Sequence, residues 1–530
     1  MDMQQADLDV IVVGGGPVGL GLAIDLTLRG KKVCVLERSV ALHRIPKGQN
    51  LTQRTGEHFR AWGVGEAIRT ASPIPRDFGN AGLMTYGKLL SAYRYDWFQR
   101  SKVAAYYFAD NERLPQYETE RVLRDRLNEL DPDALKLGCK FTALDASDDQ
   151  VVVTFDAEAG SQQTIAAPYV VGCDGARSAV REQAGIAQAV DHQGPRMALL
   201  VFRSDGLDEL LAEYTGKSIF NIMNPELDGY WQFLGRFDLN GGWFYHFPVP
   251  ADATAENYDF TTHLHQMVGA SFALEFEHIG FWDLRISHAK TYQAGRVFIA
   301  GDAAHSHPPY GGYGVNTGLE DARNLSWKLA ARLDGWGSEG LLESYSAERH
   351  PVFKSTSRDF IERMITDFRT FMDSYDPVRD KQAFEAAWQA RAAGDDSDVT
   401  EFLPHYAGSS AVWGDAQADS GARGKHSFQA RPGYHLAPAP DRANRDLWPE
   451  LGSGFTLLDF KGHAALTQEF ADAAAALQVP LAVVSSADAD LAAHYGADAI
   501  LVRPDQFIAW TADNSPVRPA EILARAIGRR

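Results

Sequence analysis

The stretch Asp9-Val-Ile-Val-Val-Gly-Gly-Gly-Pro-Val-Gly19 decides the fold of this 530-residue chain. A β-branched run precedes a Gly-x-Gly-x-x-Gly pattern that starts at Gly14, which predicts a strand, a tight turn and a helix. The helical spacing ends on Gly30, and a second β-type run ends before Glu37. This strand–turn–helix–strand unit is typical of an α/β domain with a parallel sheet.

The glycine pattern predicts a dinucleotide site at the end of the first strand. Gly14 permits the tight turn, Gly16 lets a pyrophosphate approach the backbone, and Gly19 allows close helix–strand packing. The helix that starts at Pro17 offers N–H donors and partial positive charge to phosphates. Glu37 follows at the distance where the fingerprint has an acidic partner for ribose hydroxyls.

Two further motifs carry residue types that a flavin site needs. The run from Arg296 predicts a buried strand ending at Asp302, whose carboxylate can accept a hydrogen bond from a ribityl chain. A glycine-rich loop then leads into a helix near Gly314, whose N-terminus favours negative charge on a reduced flavin. Asp174-Gly175 follows another short strand, and its position between the other two motifs favours a ligand-binding turn over an ordinary one.

Composition excludes several classes of protein. A hydrophobic share of 45% with 23% charged residues is typical of a folded globular chain. The net charge of −19 argues against a nucleic-acid partner. The three cysteines form no CxxC motif, and no His/Cys/carboxylate cluster has ligand spacing, so we expect no metal. The absence of a signal peptide and of an apolar span predicts a cytoplasmic protein without an integral membrane segment.

The ordered set of these motifs resembles a known family. Gly14-Gly-Gly-Pro-Val-Gly19, Cys173-Asp-Gly-Ala-Arg-Ser-Ala-Val-Arg181 and the segment 301–330 resemble the class A flavoprotein aromatic hydroxylases, the p-hydroxybenzoate hydroxylase and phenol hydroxylase family. The similarity covers about residues 8–355, and residues 501–510 resemble the thioredoxin-like domain of the phenol hydroxylase branch. The resemblance implies that NAD(P)H reduces FAD, that O2 forms a flavin C4a-hydroperoxide, and that a phenolic or related aromatic ring is hydroxylated.

The element pattern and the resemblance together predict an α/β protein with three domains. Residues 1–190 and 286–400 are expected to form an FAD-binding Rossmann-like domain of the glutathione reductase type. Residues 191–285 are rich in aromatic strand-like runs and predict an inserted, mostly antiparallel substrate-binding sheet. Residues 401–440 predict a linker, and residues 441–530 predict a thioredoxin-like α/β domain that packs on the rest or supports a homodimer.

The resemblance implies FAD contacts residue by residue. They are Gly14, Gly16, Pro17, Gly19, Glu37, Arg38, Lys47, Gln116, Asp174, Asp302, Gly312, Gly314, Val315 and Asn316. Lys47 stands where the family commonly has an arginine, and Tyr313 stands where Gln, Lys or Phe is frequent. NADPH or NADH is expected to bind transiently on the same scaffold, because the chain has one glycine fingerprint in proper context.

The substrate pocket is expected between the flavin and the aromatic-rich sheet. The predicted substrate contacts are Phe220, Leu234, Arg236, Phe244 and Tyr310. A gap-free match of residues 229–248 to the p-hydroxybenzoate hydroxylase segment places Arg236 at its carboxylate-binding arginine and Phe244 at a pocket tyrosine. The candidate catalytic residues are Pro309 in the flavin-facing loop and, as bases for a phenol, Tyr230, Tyr245 and His246.

Two other functions stay open from the sequence alone. The same fold and flavin would suit a Baeyer–Villiger or epoxidising monooxygenase with a polyketide-like substrate. A flavin-binding sensor without turnover would show the same cofactor motifs. Product structure separates the first alternative from ring hydroxylation, and substrate-stimulated NAD(P)H oxidation separates an enzyme from a sensor.

Overall fold

The computed structural model describes residues 8–79, 82–157, 160–394, 397–415, 417–439, 446–512 and 518–529. The elements before the large sheet insertion are β1 (Val10–Val13), α1 (Pro17–Leu28), β2 (Val33–Glu37), β3 (Asn50–Leu51), α2 (Gln53–Ala61), α3 (Gly65–Ala71), α4 (Arg76–Gly79), β4 (Gly82–Tyr86), β5 (Arg94–Trp97), β6 (Glu112–Arg113), α5 (Gln116–Leu130), β7 (Leu135–Leu137), β8 (Lys140–Ala146), β9 (Val151–Asp156), β10 (Gln162–Ala167), β11 (Tyr169–Gly172) and α6 (Ala179–Gln183).

The central part of the chain alternates long strands with two short helices. Its elements are β12 (Gln188–Arg203), α7 (Asp205–Leu210), β13 (Ile219–Met223), β14 (Gln232–Arg236), β15 (Gly242–Pro248), α8 (Phe260–Val268) and β16 (Glu275–Ala289). The chain then returns to the first domain and forms its longest helices. These elements are β17 (Gln293–Ala294), β18 (Val297–Ile299), β19 (His305–Ser306), α9 (Tyr313–Leu333), α10 (Glu339–Thr356), α11 (Arg363–Ser374), α12 (Lys381–Gly394) and α13 (Ser397–Thr400).

The last part of the chain holds a strand pair and a small α/β unit. Its elements are β20 (Phe402–His405), β21 (Gly421–Arg423), β22 (Phe455–Asp459), α14 (Ala464–Leu477), β23 (Leu481–Ser485), α15 (Ala489–Tyr495), β24 (Ala499–Val502), β25 (Ile508–Thr511) and α16 (Pro519–Ala526). In the described parts of the chain, no helix is both long and apolar enough to cross a bilayer.

A six-stranded sheet forms the core of the first domain, in the order β17-β18-β11-β1-β2-β7. β1 pairs in parallel with both β2 and β11, and β11 pairs in parallel with β18. All four residues of β1 are buried, as expected for a parallel strand covered on both faces. Gly14 takes a φ of 107° at the end of β1, and Pro17 begins α1. The predicted Rossmann-like α/β domain is confirmed.

An eight-stranded sheet forms the second domain, in the order β19-β16-β12-β15-β14-β13-β4-β5. Only β13 and β4 pair in parallel, so the predicted mostly antiparallel sheet is present. Its predicted boundary of residues 191–285 is incomplete, because β4 and β5 come from residues 82–97 of the preceding segment. Pairing between segments so far apart in the chain leaves no signal in the local sequence.

The two faces of this sheet pack against different partners. The inner face carries Met84, Phe233 and Phe244 and packs on aromatic residues of α10 to α12 and on Tyr310 of the cleft loop. The outer face carries residues such as Leu234 and packs on α7 and α8. Cross-strand pairing fixes these two sets, since directly paired residues of neighbouring strands share one face.

The predicted linker at residues 401–440 differs from the structure. β20 pairs with β21, and the side chains of Tyr406, Ala422 and Leu436 are buried against the neighbouring domains. The segment has no periodicity because its residues are buried by contacts with several different elements, and no single face is repeated. Residues 416 and 440 lie outside the described range.

The C-terminal unit has the strand order β23-β22-β24-β25. β22 pairs in parallel with β23 and antiparallel with β24, while β24 and β25 are antiparallel. This βαβ unit followed by a hairpin and a helix agrees with the predicted α/β domain. The predicted start of the domain at residues 441–445 lies outside the described residues.

A buried ionic network joins the C-terminal domain to the first domain. Arg503, fully buried, binds both carboxylate oxygens of Glu348 at 2.7 and 3.0 Å and also pairs with Asp505 at 2.7 Å. Lys328 of α9 donates to Glu348 at 2.7 Å. Burial opposes a charge at Glu348, but Arg503 and Lys328 still hold the pKa of this carboxyl below its usual value. Burial lowers the pKa of Lys328 to about 8.

Replacing Arg503 tests whether this network holds the two domains together. Arg503→Met leaves two buried carboxylates short of a cation, so we expect the free energy of unfolding to fall by about 3–5 kcal/mol. Arg423→Met is the matched control, because Arg423 and Glu401 form an exposed pair whose loss costs about 0–1 kcal/mol. Urea denaturation measures both variants, and equal losses would contradict the role of the buried network.

Candidate cofactor cleft and active site

A cleft of about 590 Å³ opens at the carboxyl ends of β1, β2 and β11. Open parallel sheets bind ligands at this edge, where glycine turns and helix N-termini converge. Most of the predicted cofactor residues line the cleft, namely Gly14, Gly16, Pro17, Glu37, Arg38, Lys47, Gln116, Asp174, Asp302, Gly312, Gly314 and Val315. Pro309 and His307 also line it.

Gly16 shows that the cleft fits a phosphate-bearing ligand. Its φ of −76° and ψ of −178° suit any residue, and no atom lies within 4 Å of the position a Cβ would take. This space lies at the N-terminus of α1, where an anion can approach the backbone N–H groups. Gly19 has the opposite property, because a Cβ there would lie 2.0 Å from the carbonyl oxygen of Gly14. Gly19 does not line the cleft and serves helix–strand packing.

Glu37 is fixed at the end of β2 by backbone donors. Its Oε2 accepts from the Gly15 N–H and its Oε1 from the Ser39 N–H, both at 2.7 Å. The carboxylate therefore braces the glycine turn and faces the cleft. Such a negative charge accepts hydrogen bonds from ribose hydroxyls and repels a 2′-phosphate.

Asp302 and Asp174 both line the cleft, after the neighbouring strands β18 and β11. Asp302 is exposed to the open cleft, yet desolvation by the surrounding protein raises the pKa of its carboxyl. Asp174 accepts from the Val180 N–H at 3.2 Å and from Ser178, which orders the turn at Gly175. Desolvation also raises the pKa of Asp174. These are the positions at which a polyol chain would find acceptors.

Among the predicted cofactor residues that line the cleft, Arg38, Lys47 and Gln116 supply two cations and an amide. Arg38 and Lys47 are exposed to the cleft and carry the positive charge that phosphates require. The side-chain amide of Gln116 donates to Glu120 at 2.7 Å, which orients its oxygen towards Gly48.

Asn316 has a different role from the predicted FAD contact. Its Oδ1 accepts from the Thr52 N–H at 2.8 Å and from the Thr55 hydroxyl at 2.6 Å. Its Nδ2 donates to the carbonyl oxygens of Asn50 and Gly312, both at 2.7 Å. The amide is therefore fully used inside the protein, where it fixes the N-terminus of α9 against β3.

Aromatic residues of the inner face pack around Tyr310, which follows the cleft-lining Pro309 in the chain. The ring of Tyr310 stacks on that of Trp231 with centroids 4.7 Å apart. The hydroxyl oxygen of Tyr310 accepts a hydrogen bond from the backbone N–H of Trp231 at 2.9 Å. His246 stacks on Phe233 at 4.8 Å and lies edge-on to Phe244 at 5.8 Å. Burial lowers the pKa of His246 to about 3, and its Nδ1 has no partner among the described residues.

Four predicted pocket residues lie on the outer face and are corrected here. These are Phe220, Leu234, Arg236 and Tyr245. Arg236 pairs with Asp208 and packs over Trp243 at 4.1 Å. The register explains the error, because Phe244 pairs with Gly235 while Arg236 pairs with Trp243, so Arg236 and Phe244 cannot share a face.

The hydroxyl groups of the two candidate tyrosines have partners of their own. Tyr245 donates to the side-chain oxygen of Gln232 at 2.6 Å on the outer face, so it cannot serve as a base at the cleft. Tyr230 precedes β14, and its hydroxyl lies 3.1 Å from His192 Nε2. Only His246 among the three predicted bases lies on the inner face of a strand.

Sequence reasoning missed three residues next to the cleft. Asn50 and His307 line it, and the guanidinium of Arg100 donates to the Gly311 carbonyl at 3.2 Å behind them. Burial lowers the pKa of His307 to about 4. Asn50 and Arg100 belong to no recognisable motif, so no signal in the sequence could have found them. His307 follows the Gly301-Asp302 motif within the same loop, and this position is the signal that could have found it.

Comparison with known proteins agrees with this cleft. The sequence matches the FAD binding domain family over residues 7–359 and the C-terminal domain of aromatic-ring hydroxylases over residues 432–529. A 4-methyl-5-nitrocatechol 5-monooxygenase of a Burkholderia species is 29% identical over 98% of this chain and 97% of that protein. The rifampicin monooxygenase of Streptomyces venezuelae is 36% identical over 65% of this chain and 68% of that protein.

Solved structures show the same fold along the whole chain. The substrate-free rebeccamycin biosynthetic enzyme RebC superposes with a TM-score of 0.79 at 28% identity, covering 99% of this chain and 100% of that chain. Aklavinone-11 hydroxylase in complex with FAD and aklavinone gives a TM-score of 0.79 at 25% identity with the same coverage. The fold and the cleft thus define an FAD-dependent monooxygenase. The chain belongs to the aromatic-ring hydroxylase family of these enzymes, which confirms the predicted family, cofactors and class of activity.

A Cβ at position 16 should remove FAD without disturbing the fold. Gly16→Ala places a methyl group where the pyrophosphate meets the N-terminus of α1, so the loss of charge-assisted hydrogen bonds should weaken FAD binding roughly ten- to hundredfold. Its melting temperature without FAD should match that of the control Gly394→Ala, whose Cβ also meets nothing within 4 Å. Fluorescence titration with FAD and thermal melts measure both quantities. Unchanged FAD affinity would contradict the assignment of the phosphate site.

Proposed function

We propose that this monooxygenase hydroxylates a neutral phenolic ring, with NADPH or NADH as the reductant and O2 as the source of the oxygen atom. The observation that carries this proposal is the inner face of the eight-stranded sheet. This face carries Phe233, Phe244 and Trp231, which pack in one cluster with Tyr310, and the arginine expected to bind a carboxylate faces the other way. An aromatic ring fits such surroundings, and Arg236 is not there to pair with a carboxylate.

The residues of the chain perform three tasks in the proposed reaction. When bound, FAD supplies the electron transfer from NAD(P)H and the activation of O2. The glycine turn, Asp302 and the N-terminus of α9 hold the cofactor at the cleft. Tyr310 and Trp231 orient the substrate ring and exclude water from it. His246 is neutral at physiological pH because burial lowers its pKa, so Nδ1 can accept a hydrogen bond from a phenol hydroxyl and orient it, while the low pKa disfavours taking the proton.

The relatives support two sizes of aromatic substrate. A relative that aligns along nearly the full chain is named for a nitrocatechol, which supports a substrate with a single phenolic ring for this chain. Rifampicin monooxygenase and aklavinone-11 hydroxylase are named for much larger molecules, which supports a polyketide-like substrate as the second candidate. We further propose a cytoplasmic homodimer, and the three free cysteines Cys34, Cys139 and Cys173 support a reducing compartment.

The purified protein should be yellow and should consume NADPH or NADH faster when a suitable phenol is added. Acid precipitation should release the flavin into the supernatant, since no covalent attachment is proposed. Mass spectrometry should find a product heavier than the substrate by one oxygen atom. A lack of stimulation by any phenol or polyketide would favour a sensor, and an ester product would favour a Baeyer–Villiger reaction.

Variants on the two faces of the eight-stranded sheet test which face lines the proposed substrate pocket. His246→Phe keeps an aromatic ring on the inner face but removes the acceptor, so we expect kcat/KM for the stimulating phenol to fall roughly tenfold. Arg236→Met on the outer face serves as the control and should leave KM per FAD-loaded enzyme unchanged. Steady-state kinetics measure both variants. A raised KM in Arg236→Met with normal kinetics in His246→Phe would reverse the assignment of the faces.

A further inference from the structure

Arg100 is a buried arginine behind the loop that borders the cleft. Arg100 begins a short 3-10 helix, Arg100–Tyr106, and is 3% exposed. Within the described ranges no carboxylate oxygen lies within 4 Å of it. Its Nη2 donates to the Gly311 carbonyl at 3.2 Å. In the amide orientation that satisfies both groups, Asn50 Oδ1 accepts from Nε and Nη2 at 3.1 Å.

Phe98, two positions before Arg100 in the chain, helps to hold the guanidinium in place. Phe98 has a φ of 60°, which is unfavourable for a bulky side chain, and its ring lies 4.4 Å from the guanidinium carbon of Arg100. Trp97 is anchored by its indole N–H, which donates to Asp398 at 3.3 Å. Strained backbone of this kind persists where the surroundings hold a functional group in place. The aromatic face also stabilises the positive charge.

Other buried arginines show what is unusual about Arg100. Arg503 and Arg349 each pair with a carboxylate. Arg113 has only carbonyl partners, on Ser218 and Arg236, and these lie at the end of the large sheet. Arg181 donates to the carbonyl oxygens of Ala303 and Ala176, and the charge of Asp174 acts on it. Arg100 is thus a buried cation whose partners, Asn50 and Gly311, line or adjoin the FAD cleft. The carboxylate of Asp398 acts on Arg100 only from beyond 4 Å, and a buried charge without a close counter-charge is costly, so an anion arriving next to it is favoured.

We propose that Arg100 is a positioning residue that raises the reduction potential of bound FAD. It holds Asn50 and the loop at Gly311 in place and adds a full positive charge to the partial charge of the α9 N-terminus. Reduction transfers a hydride, which is two electrons and one proton, from NAD(P)H to the flavin. NAD(P)+ leaves, and the reduced ring keeps one negative charge, which Arg100 stabilises. The proposal rests on FAD binding and is independent of the aromatic substrate.

Sulfite titration of the FAD-loaded protein tests this role without turnover. Sulfite forms a bond to the oxidised flavin and leaves a similar negative charge on the ring, so its affinity reports the positive charge nearby. Arg100→Gln keeps a donor for Gly311 but loses the charge. We expect its sulfite dissociation constant to rise roughly tenfold, equivalent to about 30 mV in the potential of a two-electron couple. Arg100→Lys keeps the charge and should stay within about threefold of the unmodified protein.

Arg113→Met is the matched control, because it removes a second buried arginine that lacks a carboxylate partner. Its sulfite constant should be unchanged. Equal weakening in Arg100→Lys and Arg100→Gln would show a purely structural role and overturn the proposal, as would an unchanged constant in Arg100→Gln. If Arg100→Gln does not retain FAD, the sulfite dissociation constant of Arg100→Lys decides the question. A constant within threefold of the unmodified protein supports the role of the charge, and a tenfold higher constant overturns it. Failure of ring hydroxylation would leave these values unaffected.

Discussion

The buried charges of α9 are the constraint on which the rest of the structure depends. This helix runs through the centre of the protein, and Glu320, Asp321 and Lys328 lie on it with little or no exposure. A buried charge is tolerated only with a partner at hydrogen-bonding distance. Arg54 of α2 pairs with Glu320, and Arg349 of α10 pairs with Asp321 at 2.7 Å. These pairs fix where neighbouring helices lie and therefore where the N-terminus of α9 meets the cofactor cleft.

The C-terminal domain is part of the same network. Glu348 pairs with both Arg503 of the C-terminal domain and Lys328 of α9. Asp505 accepts a hydrogen bond from the indole N–H of Trp327 at 3.0 Å. The domain supplies these partners and packs against Trp327 of α9. Arg54 of α2 also donates to the Asp505 carbonyl at 2.6 Å. The cofactor domain and the C-terminal domain therefore share a single set of buried charges.

The chemistry of the active site depends on which side chains of one sheet face the cleft. The register that pairs Gly235 with Phe244 gives the inner face an aromatic, uncharged surface and sends Arg236 to Asp208 on the other side. A shift of one residue in β14 would exchange the two sets. It would bring a guanidinium to the substrate and favour an anionic aromatic acid over a neutral phenol. The proposed substrate class, a neutral phenol, thus rests on strand register as much as on composition.

The sequence by itself determined the features that are local. The turn at Gly14, the start of α1 at Pro17, the carboxylate at Asp302 and the long helix after Gly312 follow from short-range backbone chemistry and periodicity. Tertiary structure alone decided that residues 82–97 join the large sheet, that residues 401–440 are packed, and that Arg236 faces away from the cleft. It also decided that Arg100 lies behind the cofactor loop. Each of these depends on pairing between segments far apart in the chain, and such pairing is set by packing and charge compensation, which leave no periodic signal in the sequence.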